Sequence, residues 1–242
     1  MNLTKIKKNA EKNAEKNGKI IAINLLLDFF NIPLIDIIEK YDNKYFKGTT
    51  ISKKEVFYRA MTETLTIENQ KFLNGEGKKV GGRQSDKRTY VGYCLDLIYG
   101  WLGEDAVFKF LELKGLNPTL YGTDAERDFL NKSELSTIPD VKIGDNLIEI
   151  VFDWGYHWES KGKCDLRDNK YKTLVKEDSY LLGLAPKSKM GFIFKPTDDE
   201  YDFKETKAIW GFGNKPGYTI HNINEYMLPL DELFDKTFNI FR

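Results

Sequence analysis

The sequence contains few cysteines and histidines, and this scarcity excludes several kinds of site. Its 242 residues include two cysteines, Cys94 and Cys164, and two histidines, His157 and His221. Two cysteines form neither a disulfide framework nor a four-ligand zinc site on their own. A metal ion in this chain would therefore be held mainly by carboxylates, which are the ligands of Mg²⁺ and similar hard ions.

Long apolar runs are also missing. The longest apolar-rich run, Ile20 to Phe30, is interrupted by Asn24 and Asp28, and it falls short of the roughly 20 residues that a membrane span needs. The N-terminus is rich in lysine and asparagine, and no apolar region follows it directly, as one would in a secretory signal. We therefore expect a cytoplasmic protein in a reducing compartment, without a membrane partner.

The charges are balanced overall but unevenly distributed. Residues 1–20 and 71–90 each carry six basic against two acidic residues, whereas residues 101–150 carry ten acidic against five basic. Basic segments bind phosphates and clustered acids hold a metal, so the pattern suits an enzyme that acts on nucleic acid. The plainer alternative is that the lysine-rich segments are simply solvated surface. Within the second segment, residues 75–83 form a predicted loop with four glycines. The basic residues in this loop and shortly after it are those that we expect to contact DNA: Lys78, Lys79, Arg83, Lys87 and Arg88.

The first half of the sequence is predicted to be largely helical. Apolar residues recur at helical spacing, and capping residues mark several helix starts. The predicted helices span residues 18–30, 33–41, 53–65 and 88–113, with a possible break at Gly103, and a short one runs from Gly122 to Leu130.

The second half changes to strand spacing. Two strands, residues 141–143 and 147–153, are joined by a tight turn at Gly144-Asp145-Asn146, which predicts a β-hairpin. The later predicted elements are a helix at 168–184, a strand at 190–194, weaker strands at 208–212 and 218–220, and a terminal helix from Asp231. This order predicts an α/β or α+β fold with a mixed sheet flanked by helices.

Two acidic residues of the hairpin are expected to converge. Asp140 opens the first strand and Glu149 lies on the second, where period-two alternation puts Glu149, Val151 and Asp153 on one face. Two carboxylates at one point repel each other unless a cation lies between them. A Mg²⁺ there would polarise a phosphoryl oxygen and lower the pKa of a bound water.

The segment around these acids resembles the PD-(D/E)XK nuclease superfamily, whose best-known members are type II restriction endonucleases. The resemblance covers residues 124–195: Pro139-Asp140, the hairpin, Glu149-Ile150-Val151, a following helix and an apolar strand. It implies that Asp140 and Glu149 bind Mg²⁺ and that Glu126 adds a third acid to the metal site. It also implies a lysine two residues after the glutamate, which orients or activates the attacking water, but Val151 stands there.

Other lysines are candidates for the missing one. Ser160-Lys-Gly-Lys163, followed by Tyr171-Lys172, resembles a subgroup of GATC-cleaving restriction enzymes, and this similarity favours Lys163 first and Lys161 second.

Further lysines remain open as alternatives. Lys142 lies two residues from Asp140 and so on the same face, and Lys170 lies in the helix that follows the hairpin. A literal Glu-x-Lys also occurs at Glu159-Ser160-Lys161, in a segment that we expect to be a polar loop.

The resemblance implies a Mg²⁺-dependent, sequence-specific endonuclease that hydrolyses phosphodiester bonds of double-stranded DNA in a restriction system. A palindromic target is matched by twofold symmetry, so we expect a homodimer. Residues 1–118 would form a mainly helical region for DNA recognition and dimerisation, and residues 119–242 the nuclease core. Three alternatives stay open: a non-specific repair or defence nuclease, an inactive DNA-binding protein with a degenerate core, and an unrelated α/β protein.

Overall fold

The structure of the chain, a computed structural model, describes residues 18–34, 36–37, 90–123, 125–127, 137–212 and 214–242. The chain divides into two units, residues 1–106 and 107–242. The predicted helix at 53–65 and the five basic residues expected to contact DNA lie outside the described residues. Within the described ranges, no helix is both long and apolar enough to cross a membrane.

Two helices account for most of the described N-terminal half. Helix α1 spans Lys19–Phe30, as predicted, and buries residues at helical spacing, among them Ala22, Leu26 and Phe30. Helix α2 spans Tyr90–Leu113 without interruption, so the break expected at Gly103 does not occur. Of the predicted helix 33–41, residues 34, 36 and 37 are helical, and residues 35 and 38–41 are not described.

A six-stranded mixed sheet forms the centre of the second unit. In spatial order its strands are β1 (Thr119–Leu120), β2 (Val141–Ile143), β3 (Asn146–Phe152), β5 (Tyr180–Ala185), β6 (Met190–Phe194) and β9 (Leu228–Pro229). Strands β3 and β5 are parallel, and every other neighbouring pair is antiparallel. The sequence-based expectation of a mixed α/β fold with a mixed sheet is therefore confirmed.

The connection between β3 and β5 carries two helices and one strand of a second sheet. It contains α3 (His157–Lys161), β4 (Lys163–Arg167) and α4 (Asp168–Lys176). Strand β4 joins β8 (Lys215–His221), which also pairs with β7 (Phe203–Ile209), to form a three-stranded antiparallel sheet. Helix α5, Leu230–Phe241, follows β9. A tight turn reverses the chain direction and so joins antiparallel strands. Two parallel strands need a longer crossover connection of this kind.

The two faces of the six-stranded sheet pack against different partners. A Cβ on Gly191 would lie 2.6 Å from the side chain of Leu233 in α5, whereas a Cβ on Gly183 would lie 2.2 Å from the Phe192 ring on the opposite face. That second face contributes to an apolar cluster with residues from α3, α4 and the three-stranded sheet, including Trp158, Leu174 and Ile220. The face that bears Glu149 is therefore covered by α4 and the three-stranded sheet.

Several predicted elements have different bounds in the structure. The helix expected at 168–184 is wrong beyond Lys176, because the turn at Asp178 (φ 48°) leads into β5, whose apolar residues are buried between β3 and β6. Residues 122, 123, 125 and 126 form a bend and turns rather than the start of a helix. The weaker strand at 208–212 ends at Ile209, and a 3₁₀ turn follows it.

The hairpin and the terminal elements agree closely with expectation. The turn at Gly144 and Asp145 joins β2 to β3 as predicted, and Gly144 adopts the positive φ of 57° that favours glycine. The strand at 190–194 matches β6, residues 218–220 lie within β8, and the terminal helix begins one residue earlier than predicted.

Candidate active site

The hairpin holds Asp140 and Glu149 on neighbouring strands. Val141 pairs with Ile148 across the antiparallel strands, and Asp140 directly precedes Val141. The Asp140 carboxylate accepts a hydrogen bond from the amide of Ile150, the residue after Glu149. The convergence of the two carboxylates on one cation stays a prediction.

Asp140 is fixed directly before the point where β2 begins. Its amide donates to the Ile148 carbonyl at 3.0 Å, and its own carbonyl accepts a hydrogen bond of 2.8 Å from the Tyr121 amide. Its carboxylate Oδ2 accepts a third hydrogen bond from the Ile150 amide at 2.8 Å. The side chain thus continues the hydrogen bonding of the hairpin one step beyond the backbone pairs, which restricts where the carboxylate can lie.

Glu149 is a buried acid with a lysine partner. Its side chain is 7% exposed, and its Oε2 accepts a hydrogen bond of 2.6 Å from Nζ of Lys170, whose side chain is 22% exposed. Lys170 lies in the first turn of α4, so the packing of that helix over the sheet brings the ammonium to the carboxylate. A buried carboxylate is costly without such a partner, and the pair is therefore held by strong electrostatic attraction.

Val151 occupies the position where the superfamily resemblance expects lysine. It pairs with Gly183 and packs against the apolar cluster under α4. The cation beside Glu149 comes instead from α4, which is 21 residues away in sequence. Lys170 was the weaker of the lysine alternatives in the sequence, and the structure gives it the contact with Glu149.

The two lysines favoured from sequence lie elsewhere. Lys163 is on β4, in the three-stranded sheet, where Nζ forms an ion pair with Asp165 at 3.0 Å. Among the described residues it forms no hydrogen bond or ion pair with Asp140 or Glu149. Lys161 is an exposed residue at the end of α3. Glu159, from the literal Glu-x-Lys, is exposed on the same short helix rather than in a loop.

Lys142 and Glu126 lie on the approaches to the hairpin. Lys142 projects from β2 with Nζ 5.9 Å from the centre of the Tyr121 ring. Glu126 is exposed in the turn that follows Gly122. Within the described ranges, no group of three or more His, Cys, Asp or Glu side chains is arranged to hold a metal. The structure therefore does not bring Glu126 into one ligand group with Asp140 and Glu149.

The donor set at the hairpin nevertheless fits Mg²⁺. This ion binds oxygen, and in nucleotide and phosphate sites it uses one or two carboxylates, the remaining ligands being water and substrate phosphate. Asp140 and Glu149 supply two carboxylates from one hairpin, held by a backbone amide and an ammonium. No further protein ligand is required for that kind of site.

Cys164 borders this region but is not a nucleophile candidate. It is buried within the apolar cluster, and burial, followed by the charges of Asp165 and Asp153, raises the pKa of its thiol far above the usual range. A thiol that stays protonated is neither a good nucleophile nor a metal ligand. The reactive groups of this face are therefore the two carboxylates and Lys170.

No protein-family model matches the chain, and no curated protein or solved structure matches it either. The chemistry of this protein is consequently inferred from its own side chains. Asp140, Glu149 and Lys170 form the combination of acids and base with the best-defined geometry on the large sheet.

Proposed function

We propose that this protein is a Mg²⁺-dependent endonuclease that hydrolyses phosphodiester bonds of double-stranded DNA. The observation that carries the proposal is the Lys170 ammonium 2.6 Å from the buried Glu149 carboxylate, with the Asp140 carboxylate 2.8 Å from the amide of the next residue, Ile150. The chain also has the hairpin, the following helix and the apolar strands on which the resemblance to PD-(D/E)XK nucleases rests. Lys170 would take the role of the lysine that this resemblance places at Val151.

Each of the three side chains has a distinct task in this mechanism. Asp140 and Glu149 would hold Mg²⁺, which when bound neutralises phosphate charge and lowers the pKa of a water. Lys170 orients the attacking water, and its charge stabilises the extra negative charge that develops on the phosphoryl oxygens. The water oxygen bonds to phosphorus as the bond to the ester oxygen on the opposite side breaks. The water gives up one proton to solvent, and the leaving oxygen takes one up to become a hydroxyl.

The proposed substrate and assembly follow from the same resemblance. A restriction enzyme cuts at a defined sequence, and a symmetric target favours a homodimer. The basic segment 71–90 supplies a charge suited to the DNA backbone. Site-specific cleavage is thus the form of nuclease activity that we propose for this chain.

The direct test is incubation of the full chain with phage-sized DNA, with and without Mg²⁺. We expect discrete fragments that require the metal and disappear with EDTA. Asp140→Asn should reduce the cleavage rate at least 100-fold, since it removes the charge of one metal ligand while its amide oxygen still accepts the bond from Ile150. Asp145→Asn, an exposed position in the turn of the same hairpin, is the matched control and should cleave normally.

The alternatives give different results in that experiment. A smear instead of discrete fragments would identify a nuclease without sequence preference. DNA binding without cleavage under any divalent metal would favour an inactive DNA-binding protein. Absence of both binding and cleavage would contradict the proposal altogether.

A further inference from the structure

Tyr121 lies beside Asp140. Leu120 pairs with Val141, and the Tyr121 amide donates to the Asp140 carbonyl at 2.8 Å. The Asp140 carboxylate in turn accepts from the amide of Ile150, the residue after Glu149. The Tyr121 side chain is 46% exposed, so a large aromatic ring stands in solvent one strand away from the candidate active site.

Lys142 lies on β2, close to Asp140 in the chain. It is two residues after Asp140, a step of about 6.8 Å in extended backbone. Its Nζ is 5.9 Å from the centre of the Tyr121 ring, which places both side chains in one surface patch. Tyr121 and Lys142 together are called the rim pair below.

The charge of Lys142 is not neutralised by an acid of the described part of the chain. Lys163, Lys170 and Lys195 each form an ion pair with a carboxylate, whereas Lys142 has only the ring contact there. A cation beside an exposed ring stabilises the protein little. The rim pair is therefore poorly explained by stability, and an ammonium that forms no ion pair within the described residues suits an anionic ligand.

We propose that the rim pair binds the nucleic acid next to the phosphodiester that is cut. This inference rests on the proposed nuclease function. Lys142 binds a non-bridging oxygen of a neighbouring phosphate, because phosphates recur along each strand and one step along β2 suits one step along the backbone. The ring of Tyr121 packs against the adjoining nucleoside, as aromatic side chains do in nucleic-acid grooves.

This assignment separates two lysines of one site by what they contact. Lys170 acts on the reacting groups through its contact with Glu149, whereas Lys142 is a binding residue that contacts the substrate outside the reacting atoms. Loss of Lys142 should therefore weaken DNA binding and raise KM, whereas loss of Lys170 should lower kcat.

The test measures binding and cleavage separately. A duplex that contains the cleaved sequence is titrated with the full chain in EDTA, over a range of salt concentrations. We expect Lys142→Gln to weaken binding about 3- to 10-fold at low salt and to reduce the slope of log K against log salt by about 1. Lys204→Gln, a lysine of the three-stranded sheet that pairs with Asp202, is the matched control and should leave the slope unchanged.

The ring has its own pair of variants. Tyr121→Ala should weaken binding about 5- to 10-fold, whereas Tyr121→Phe should retain most of the affinity because it keeps the ring. Equal loss in both variants would overturn the stacking role. Thermal unfolding of each variant shows whether the fold is intact, and with the rim exposed we expect melting temperatures close to the wild type.

The outcomes distinguish this inference from the proposed function. If the wild type cuts DNA but Lys142→Gln has unchanged affinity and salt slope, the rim pair does not bind substrate and only this inference fails. If Lys142→Gln lowers kcat with unchanged binding, Lys142 acts at the reacting atoms and the inference is again overturned. If the wild type neither binds nor cuts DNA, the proposed function fails first.

Discussion

The six-stranded and the three-stranded sheet each carry a lysine–carboxylate pair, and the two pairs differ in construction. Glu149 and Lys170 are 21 residues apart, join β3 to α4, and have side chains that are 7% and 22% exposed. Lys163 and Asp165 are two residues apart on β4, with side chains that are 34% and 23% exposed. The first pair exists only when the helix packs on the sheet, whereas the second forms within one strand.

The neighbours of the two acids differ in a way that separates reactivity from stability. Glu149 precedes Ile150, whose amide donates to the carboxylate of a second acid, Asp140, at 2.8 Å. Asp165 lies opposite Thr219, whose hydroxyl is 2.6 Å from its carboxylate and 2.9 Å from the Thr206 hydroxyl. Two neighbouring acids favour binding of a cation, and a chain of hydroxyls satisfies a carboxylate without one. The same pair of side-chain types therefore has two different uses in one unit.

The largest effect is expected when the lysine of the first pair is replaced by methionine. The same replacement in the second pair is the control. Lys170→Met removes the charge beside Glu149 and should lower the rate of DNA cleavage by about 10² to 10⁴-fold, the range for losing a catalytic proton-transfer or charge-stabilising group. Lys163→Met should change the rate less than threefold, because its partner Asp165 keeps the Thr219 hydroxyl. Single-turnover cleavage at saturating DNA measures both.

Folding must be separated from catalysis in that comparison. Lys170→Met leaves Glu149 buried without its ammonium, which costs about 3–5 kcal/mol in comparable buried pairs. Lys170→Arg keeps the charge and should melt near the wild-type temperature, yet cleave at least 10-fold more slowly because the guanidinium places its donors differently. Equal activity losses for Lys163→Met and Lys170→Met would contradict the assignment of Lys170.

A large loss of stability is expected when Gly183 is replaced. Gly183 lies on the face of the six-stranded sheet that bears Glu149. A Cβ there would lie 2.2 Å from the ring of Phe192, on the strand position that pairs with Val151. Gly183→Ala should therefore lower the free energy of unfolding by about 1–3 kcal/mol through overpacking. Urea unfolding measures this difference, and Gly211→Ala is the control because no atom lies within 4 Å of its added Cβ.

The hydroxyl chain of the smaller sheet should matter for stability and not for cleavage. Thr219 is 1% exposed, and Thr219→Val keeps its shape while removing the donor to Asp165. We expect a loss of about 1–2 kcal/mol in the free energy of unfolding, as for other buried hydrogen bonds to charged groups. Thr219→Ser keeps the hydroxyl and should retain the hydrogen bond. A cleavage defect in correctly folded Thr219→Val would show that the two regions are not separate.

The positions of Asp140 and Glu149 on the hairpin could be predicted from sequence because the hairpin is local. The turn at Gly144 and Asp145 fixes the pairing of β2 and β3, and Asp140 directly precedes β2. Strand β4 also has a local signal, since the buried residues Cys164 and Leu166 alternate with more exposed ones, but the alternation is short and sequence analysis missed it.

The lysine of the site could not be selected from sequence because its placement is not local. The contact of Lys170 with Glu149 depends on how α4 packs over the sheet, which no local pattern reports. The sequence predicts a helix over most of β5 because Leu181 continues the helical spacing of α4. Pairing with β3 and β6 buries that segment as a strand, so tertiary context overrides the local periodicity.

A third lysine–carboxylate pair, Lys195 and Asp178, lies next to strands β6 and β5. It should give the smallest effect and the clearest pH dependence. Hydrogen bonds from Lys195 and then Thr197 hold the pKa of Asp178 below its usual range, although the Asp178 side chain is 62% exposed. The ionised form stabilises the fold fully above the unfolded pKa of about 3.9, and this stabilisation is lost as pH falls through the lower folded pKa. Asp178→Asn, which suits the positive φ of that position, should therefore cost less than about 1 kcal/mol at pH 7. Urea unfolding should show this difference shrinking toward pH 2, and a constant difference would assign the loss to the turn rather than to the charge.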